Sequence, residues 1–259
     1  MKANSFVSVG SWQEAYKLLK ASPKNKIVGG GLWLKKGNAE VDTLIDLSRL
    51  NLNKIEDKGD YIEIGSMVTQ RELEVSPLIK SFSGGIISKA VSQIMGPAFR
   101  NVATVGGSVY GKYGFSDLIA VLLGFEVELQ FYPSATLSLD EYVKKPGFHD
   151  GILTHIRIKK TERKAFFKKV AITALDYPII NVCITLGENY KIVVGSRPLV
   201  ATTLDETMFY LNNGGTNFDE AANVAYNEVK VGDSIATKGE YRKELVKAYV
   251  KRGLEEVNK

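Results

Sequence analysis

One cysteine and two histidines stand in a chain of 259 residues, and this scarcity excludes whole classes of chemistry. An iron–sulfur cluster needs several thiolates, and a structural zinc site needs four ligands, mostly Cys and His. Neither can be built from Cys183, His149 and His155, although carboxylate sites for harder metals stay open. A single cysteine makes no intrachain disulfide, which fits a reducing compartment. Any redox function therefore runs on a bound organic cofactor or on a partner's metal. Cys183 falls in an apolar run, Ile179–Leu186, and reads as an inert buried thiol. His155 alternates with apolar neighbours on a strand surface, and His149 follows Gly147-Phe148 in a loop.

Long apolar runs are also missing. None approaches the span of a bilayer, and Met1–Ser11 lacks the apolar core of a signal peptide, so a cytoplasmic protein is the expectation. Charge of one sign is not concentrated: 34 Lys+Arg face 29 Asp+Glu, for a net charge of +5. The lysines come as scattered doublets such as Lys35-Lys36 and Lys144-Lys145. A nucleic-acid surface would want a basic patch interleaved with stacking aromatics, so no nucleic acid and no membrane are expected as partners. What is present is a 44% hydrophobic content, enough for a substantial core, with 24% charged residues, as in an ordinary folded domain.

The order of elements reads as α+β. Ser11-Trp12-Gln13-Glu14 is a capping-box pattern that opens a helix running to about Lys20. Lys26-Ile27-Val28 and Leu44–Leu47 read as strands, and a polar stretch from Asn51 to Asp60 as a hinge. Tyr61–Ile64 alternates as a strand, and Thr69 with Glu72 forms a second capping box. A helix is expected over Gly85–Ile94, a strand over Val102–Val105, an apolar helix over Leu118–Leu123 behind Ser116, and strands over Glu126–Phe131 and Ile152–Ile158. Thr161-Glu162-Arg163-Lys164 is taken as a domain boundary. Beyond it come strands over Ala165–Ala174, Ile179–Leu186 and Lys191–Val194, with a hairpin turn at Gly187-Glu188-Asn189. Helices follow near Leu204–Leu211, Phe218–Val229 and Glu240–Glu256, the last with Tyr241, Leu245, Ala248 and Tyr249 on one face.

Two glycine-rich loops carry the chemistry. Gly29-Gly30-Gly31 follows a strand, and without Cβ atoms its backbone amides can approach a phosphate closely. It is not the G-x-G-x-x-G dinucleotide fingerprint, because the third glycine position is missed at Leu34, and no G-K-S/T follows as in a Walker loop. Ala103-Thr104-Val105-Gly106-Gly107-Ser108 is a second such loop, with Asp117 beyond its exit at the start of the apolar helix. Two phosphate-friendly loops suit a pyrophosphate gripped from both sides. Two tight turns and a helix-capping Asp117 explain the same residues equally well.

The segment Arg100-Asn101-Val102-Ala103-Thr104-Val105-Gly106-Gly107-Ser108, followed by Ser116-Asp117-Leu118 and Val121-Leu122-Leu123, resembles the R-N-x-A-T-x-G-G-N…D-L…L-L-A signature. That signature belongs to the FAD-binding subunits of the xanthine dehydrogenase and carbon monoxide dehydrogenase family of molybdenum hydroxylases. Val28-Gly29-Gly30-Gly31 resembles the family's A-G-G-T/H loop, Ile45–Leu50 the strand after it, and Ile64-Gly65-Ser66-Met67-Val68-Thr69 its I-G-A-x-x-T segment. Downstream, Phe167-Lys168 with Asp176-Tyr177-Pro178 and Asn181-Val182 resembles its F-x-K…D-x-x-x-V region, and Glu240-Tyr241-Arg242 is similar to its closing helix. The likeness runs in one order over nearly the whole chain.

The resemblance implies a two-lobed FAD-binding domain of the PCMH/vanillyl-alcohol-oxidase type over 1–160, with lobes of about 1–55 and 56–160, and a smaller C-terminal α+β domain over 161–259. It implies that Lys26, Ile27, Val28, Gly29, Gly30, Gly31, Leu32 and Trp33, with Thr104, Val105, Gly106, Gly107 and Ser108, wrap the FAD pyrophosphate and ribityl chain, chiefly by backbone amides. Asp117 would accept a hydrogen bond from the cofactor. Leu153 and Lys168 would lie by the flavin, Ile94 by the adenine or ring face, and Val109 against the isoalloxazine. Gly31, Leu32 and Ser108 stand where the family carries polar side chains, and Ile172 where it carries an arginine, so fewer side-chain bonds to the cofactor remain. The implied activity is electron passage from an iron–sulfur subunit and a molybdenum-cofactor subunit through FAD to NAD+ or another acceptor. A stand-alone FAD-dependent oxidoreductase and an assembly subunit that has lost its flavin are the competing readings.

Overall fold

In the computed structural model, which describes every residue except Ala39, Pro198 and Ala236, the chain folds around three sheets. The first is parallel: β1 (Lys2–Ser8), β3 (Glu40–Asp46) and β2 (Lys26–Val28) lie in the order β1-β3-β2. Helix α1 (Trp12–Ala21) packs its Ala15 with Val9, Ile45 and Leu47. The Ser11 hydroxyl caps it by accepting from the Glu14 amide, but the Glu14 carboxylate returns to the Gly10 amide instead of to Ser11. β1 was not foreseen, because its residues are largely exposed and only pairing with β3 makes them a strand.

The second sheet is antiparallel, with β4 (Ile55–Asp57), β5 (Tyr61–Gly65), β8 (Ile152–Lys159), β6 (Val127–Tyr132) and β7 (Ala135–Ser138) in the order β4-β5-β8-β6-β7. The polar stretch 51–60 thus contributes an edge strand. Between β5 and β6 come α2 (Gln70–Val75), capped by the Thr69–Glu72 box, then α3 (Pro77–Ser81), α4 (Ile86–Ser92), α5 (Pro97–Arg100), α6 (Val105–Tyr110) and α7 (Asp117–Leu123). Helix α8 (Leu139–Lys144) joins β7 to β8. Every residue of α7 is buried, as expected for a helix apolar on all sides. The expected strand Val102–Val105 is not formed. These residues make a turn, and Thr104 opens α6 as its N-cap, because its hydroxyl accepts from the Gly107 amide.

The third sheet is also antiparallel: β9 (Lys164–Val170), β10 (Ile180–Leu186), β11 (Tyr190–Gly195) and β12 (Thr202–Thr203) in the order β12-β11-β10-β9. β9 stops at Val170, short of the Ala174 expected from its apolar composition. Helices α9 (Asp205–Asn212), α10 (Phe218–Glu228) and α11 (Gly239–Val257) cover one face. β10 alternates between two environments. Ile180, Val182 and Ile184 join the helical cluster, while Cys183 joins the central cluster with α7. A sheet buried on both faces reads as a continuous apolar run, as Ile179–Leu186 does. The polar joint is pinned: Arg163 donates from Nε to Thr185 Oγ1 at 2.8 Å, and from its amide to Ser83 Oγ.

The docked face of α11 is shifted from the expected one, with Leu245 and Tyr249 packed at its margin. Val246, Val250, Gly253, Leu254 and Val257 are buried, while Tyr241 is exposed. The reason lies in close packing at Gly253, where a Cβ would sit 2.6 Å from Phe166 and 2.8 Å from Ile184. Gly253→Val should therefore lift α11 from β9 and β10 and cost about 1–3 kcal/mol of stability by overpacking, measured as a lowered midpoint in urea unfolding followed by circular dichroism.

Candidate functional site

The two glycine loops meet. A Cβ on Gly30 would lie 1.7 Å from the Val102 carbonyl oxygen, and one on Gly29 2.4 Å from Thr104 Oγ1. These glycines are required by the other loop's backbone, before any ligand is considered. Gly106 is pressed as closely against Ser66, 2.4 Å from its Cβ. Thr104 also bridges to Thr69, which ties the second loop to the start of α2. Gly31 has φ +69°, a left-handed conformation that side chains resist.

The amides of the two loops differ in what they can do. In the second loop they are engaged: Val105 donates to Val68 O, Gly106 to Ser66 O, Gly107 to Thr104 Oγ1 and Ser108 to Thr104 O. In the first loop the amides of Gly30, Gly31, Leu32 and Trp33 find no acceptor among the described residues. Among the described residues the free backbone donors are in the first loop, and the second loop packs against it. The hydroxyl of Ser108 is itself tied, donating to Thr104 O at 2.8 Å and accepting from Gln70 Nε2 at 2.9 Å.

A cavity of about 390 Å³ opens beside this contact. Lys26, Ile27, Gly29, Gly30, Gly31, Leu32 and Trp33 line one side, and Thr104, Gly106, Gly107, Ser108 and Leu153 the other. A small chamber of about 40 Å³ adjoins it, lined by Ile94, Asp117 and Lys169, and the two share Trp33, Ser108 and Tyr113. Trp33 sits in an aromatic cluster, its ring centroid 5.0 Å from Phe115, 5.5 Å from Tyr113 and 6.0 Å from Tyr177. Sequence reasoning did not single out Tyr113, Phe115, Tyr110, Phe148, Asn25, Ser66 or Gln70. Of these only Ser66 carried a signal, its place in the Ile64–Thr69 segment; the others reach the cavity through tertiary packing.

Four of the expected site residues lie elsewhere. Val105 and Val109 are fully buried in the central core, and Val28 is not on the cavity wall. Lys168 points to the C-terminal helices, its Nζ 5.7 Å from the Tyr249 ring centroid. The register explains this. Lys168 pairs with Val182, whose face packs on the helices, whereas Lys169 pairs with Asn181 on the opposite face. Lys169 Nζ lies 3.7 Å from Asp117 Oδ2 and donates to Gln93 O, and Asn181 Nδ2 donates to Asp117 Oδ1 at 2.7 Å. Asp117 is therefore more than a helix residue behind the Ser116 cap. It is a buried carboxylate facing a buried ammonium at the chamber wall.

A larger cavity, about 670 Å³, lies between β6, β8, α8 and α9. Some of its charges are paired, Lys144 with Asp140 and Lys159 with Glu126, and no glycine loop lines it. Cys183 is buried and its thiol is pushed up to about 12 by burial, which makes it inert.

Burial raises Asp117 from 3.8 to about 6, against the opposing effect of Lys169 and the Asn181 hydrogen bond. Folded Asp117 thus holds its proton more tightly than the unfolded chain does. Its contribution favours folding below its unfolded value and is lost as pH rises through about 6. The stability of Asp117→Asn relative to the parent should increase between about pH 4 and pH 6, by about 3 kcal/mol at most, and level off above. Paired denaturant melts across that range check it.

The comparisons with known proteins agree with this geometry. A family model described as the FAD binding domain in molybdopterin dehydrogenase matches residues 2–160. The nicotine 6-hydroxylase medium subunit of Paenarthrobacter nicotinovorans is 25% identical over 277 aligned positions, covering 99% of this chain and 98% of that one. A putative xanthine dehydrogenase FAD-binding subunit of Escherichia coli strain K12 is 26% identical over 57% of this chain and 51% of its own length. Among solved structures, quinoline 2-oxidoreductase from Pseudomonas putida 86 superposes with TM-score 0.88 at 19% identity, over 98% of this chain and 96% of that one. The Cu,Mo-CO dehydrogenase does so with TM-score 0.89 at 20% identity, over 98% and 97%. At such identities the likeness is one of fold. With the glycine loops in contact inside the matched region, the chain belongs to the FAD-binding domain family of the molybdopterin dehydrogenases, a family whose cofactor is FAD.

Proposed function

We propose that this chain is the FAD-carrying subunit of a heteromeric molybdenum hydroxylase, and that it passes electrons from a partner's iron–sulfur clusters to NAD+ or another acceptor. The observation that carries the reading is the first glycine loop. Its amides lack acceptors among the described residues and border a cavity of about 390 Å³, in a chain of this family. That donor set fits a diphosphate. FAD, when bound, supplies the hydride and single-electron chemistry, and the protein's part is to hold and orient it.

Each local element has a place in this reading. Gly30–Trp33 would hold the phosphates, with the second loop keeping the first in shape. Trp33, Tyr113 and Phe115 would exclude water from a planar ring, and Asp117 with Lys169 would set the charge at its edge. Lys169 takes the role that the F-x-K likeness assigned to Lys168. The scarcity of cysteine and histidine assigns the metal centres to partner chains, and the relative from Paenarthrobacter is itself a medium subunit. The division into 1–160 and 161–259 would separate cofactor binding from a smaller C-terminal unit, and a cytoplasmic location fits the lone cysteine. No helix among the described residues is long and apolar enough to cross a membrane.

The protein should purify yellow or take up FAD on titration, and should co-purify with a cysteine-rich chain and a large molybdenum-containing chain. A protein that takes up no FAD refutes the reading, and an FAD-binding protein that purifies alone from its native host favours a stand-alone oxidoreductase. Lys169→Met should weaken FAD binding about tenfold, the loss of one charge-assisted contact, while Lys168→Met should leave it unchanged. Equal effects of the two in calorimetric titration would contradict the assignment by register.

A further inference from the structure

The connection between α8 and β8, residues 145–151, is tied down from several sides. Tyr110 Oη donates to the His149 carbonyl at 2.6 Å. Lys112 Nζ donates to the carbonyls of Lys145 and Gly147, at 3.0 and 2.8 Å. Lys20 of α1 reaches across to Asp150 at 2.7 Å. Within the connection the Gly151 amide donates to His149 Nδ1, and the His149 ring stacks on Phe131 of β6 with 4.1 Å between centroids. Gly147 turns the chain with a left-handed φ of +71°. The segment is therefore held by α1, by the end of α6 and by β6.

The side chain that this held segment presents is Phe148. It is 63% exposed, yet it lines the cavity of about 390 Å³ that the first glycine loop borders. Tyr110 covers one of its faces, with ring centroids 5.5 Å apart and planes inclined by 14°. The exposed surface of Phe148 is therefore its other face and its rim. Held there, the ring adds little to the core, and its fixed face is pre-organised to meet a flat ring at low entropic cost. The same cavity carries the free amides of the first loop. A ligand that satisfies both has a planar ring within reach of an anionic group, as a nucleotide does. We propose that Phe148 is a further cofactor-binding residue, whose free face stacks on a planar ring of FAD, adenine or isoalloxazine, while the diphosphate lies against the first loop. Tyr110 and Lys112 are the positioning residues, because they fix the segment that carries Phe148. The proposal rests on the reading of this groove as an FAD site.

Calorimetric titration of the full chain with FAD, FMN and ADP tests it, using the parent, Phe148→Leu and Phe148→Tyr. Leucine keeps apolar cover without a flat face, and tyrosine keeps the face. Phe148→Leu should weaken FAD about tenfold, and Phe148→Tyr should leave it within about twofold. The fragment that carries the stacked ring, ADP for adenine or FMN for isoalloxazine, should show the same loss of about tenfold in Phe148→Leu. The other fragment should stay within about twofold, which reports that the groove is intact. FAD affinity unchanged in Phe148→Leu, FAD weakened alike by both variants, or ADP and FMN weakened alike by Phe148→Leu overturns the proposal. A parent protein that binds none of the three overturns the FAD reading itself, and this proposal with it.

Discussion

The contact of Gly29 and Gly30 with the backbone of Val102–Thr104 is the constraint on which the rest of the site depends. A carbonyl oxygen occupies the space where the Gly30 Cβ would be. A loop after β2 and a turn between α5 and α6 can come that close only where one of them lacks side chains. Once they do, each loop fixes the other. The second spends its amides on Ser66, Val68 and Thr104, which makes it rigid. The first is held against it with its own amides left over. The free amides of the first loop are thus a by-product of support from the second, and a groove opens where the two loops meet.

The second determinant is the burial of α7 against the third sheet. All seven of its residues are buried, and Asp117 at its start is the one carboxylate among them. It is tolerated because Asn181 and Lys169 reach it from neighbouring strands. A buried ion pair of this kind is weak as a source of stability, and burial outweighs the lysine in setting the protonation of Asp117. Its effect is to place a cation and a carboxylate at the chamber wall. The same two strands give α11 its seat on the opposite face through Gly253, so the C-terminal sheet packs with both the candidate site and the terminal helices.

Replacement of polar residues by Gly31, Leu32 and Ser108 goes with an aromatic cluster around Trp33. Ser108 still bonds, but inward, to Thr104 and Gln70. Ile172, where the resemblance would put an arginine, lies in the exposed connection between β9 and β10 together with Leu175, whereas Asp176, Tyr177 and Pro178 of that connection line the chamber.

Much of the molecule was legible in the sequence. The capping patterns at Ser11 and Thr69, the apolar runs of α7 and β10, and the two glycine loops are local signals, and short-range hydrogen bonding and burial enforce them. The ordered set of motifs was enough to place the chain in a family. Other features were decided only by tertiary structure. β1 is a strand because β3 lies beside it. Val102–Thr104 is a turn into α6, not a strand, because the Thr104 hydroxyl caps the Gly107 amide. Phe166-Phe167-Lys168-Lys169 fits F-x-K in two frames, and only the pairing of Lys169 with Asn181 selects the lysine that faces Asp117. A strand turns successive side chains to opposite faces, so a one-residue ambiguity in sequence becomes a choice between the chamber beside Asp117 and the side that faces the C-terminal helices. The register of β9 on β10 makes that choice, and the register is a property of the folded sheet.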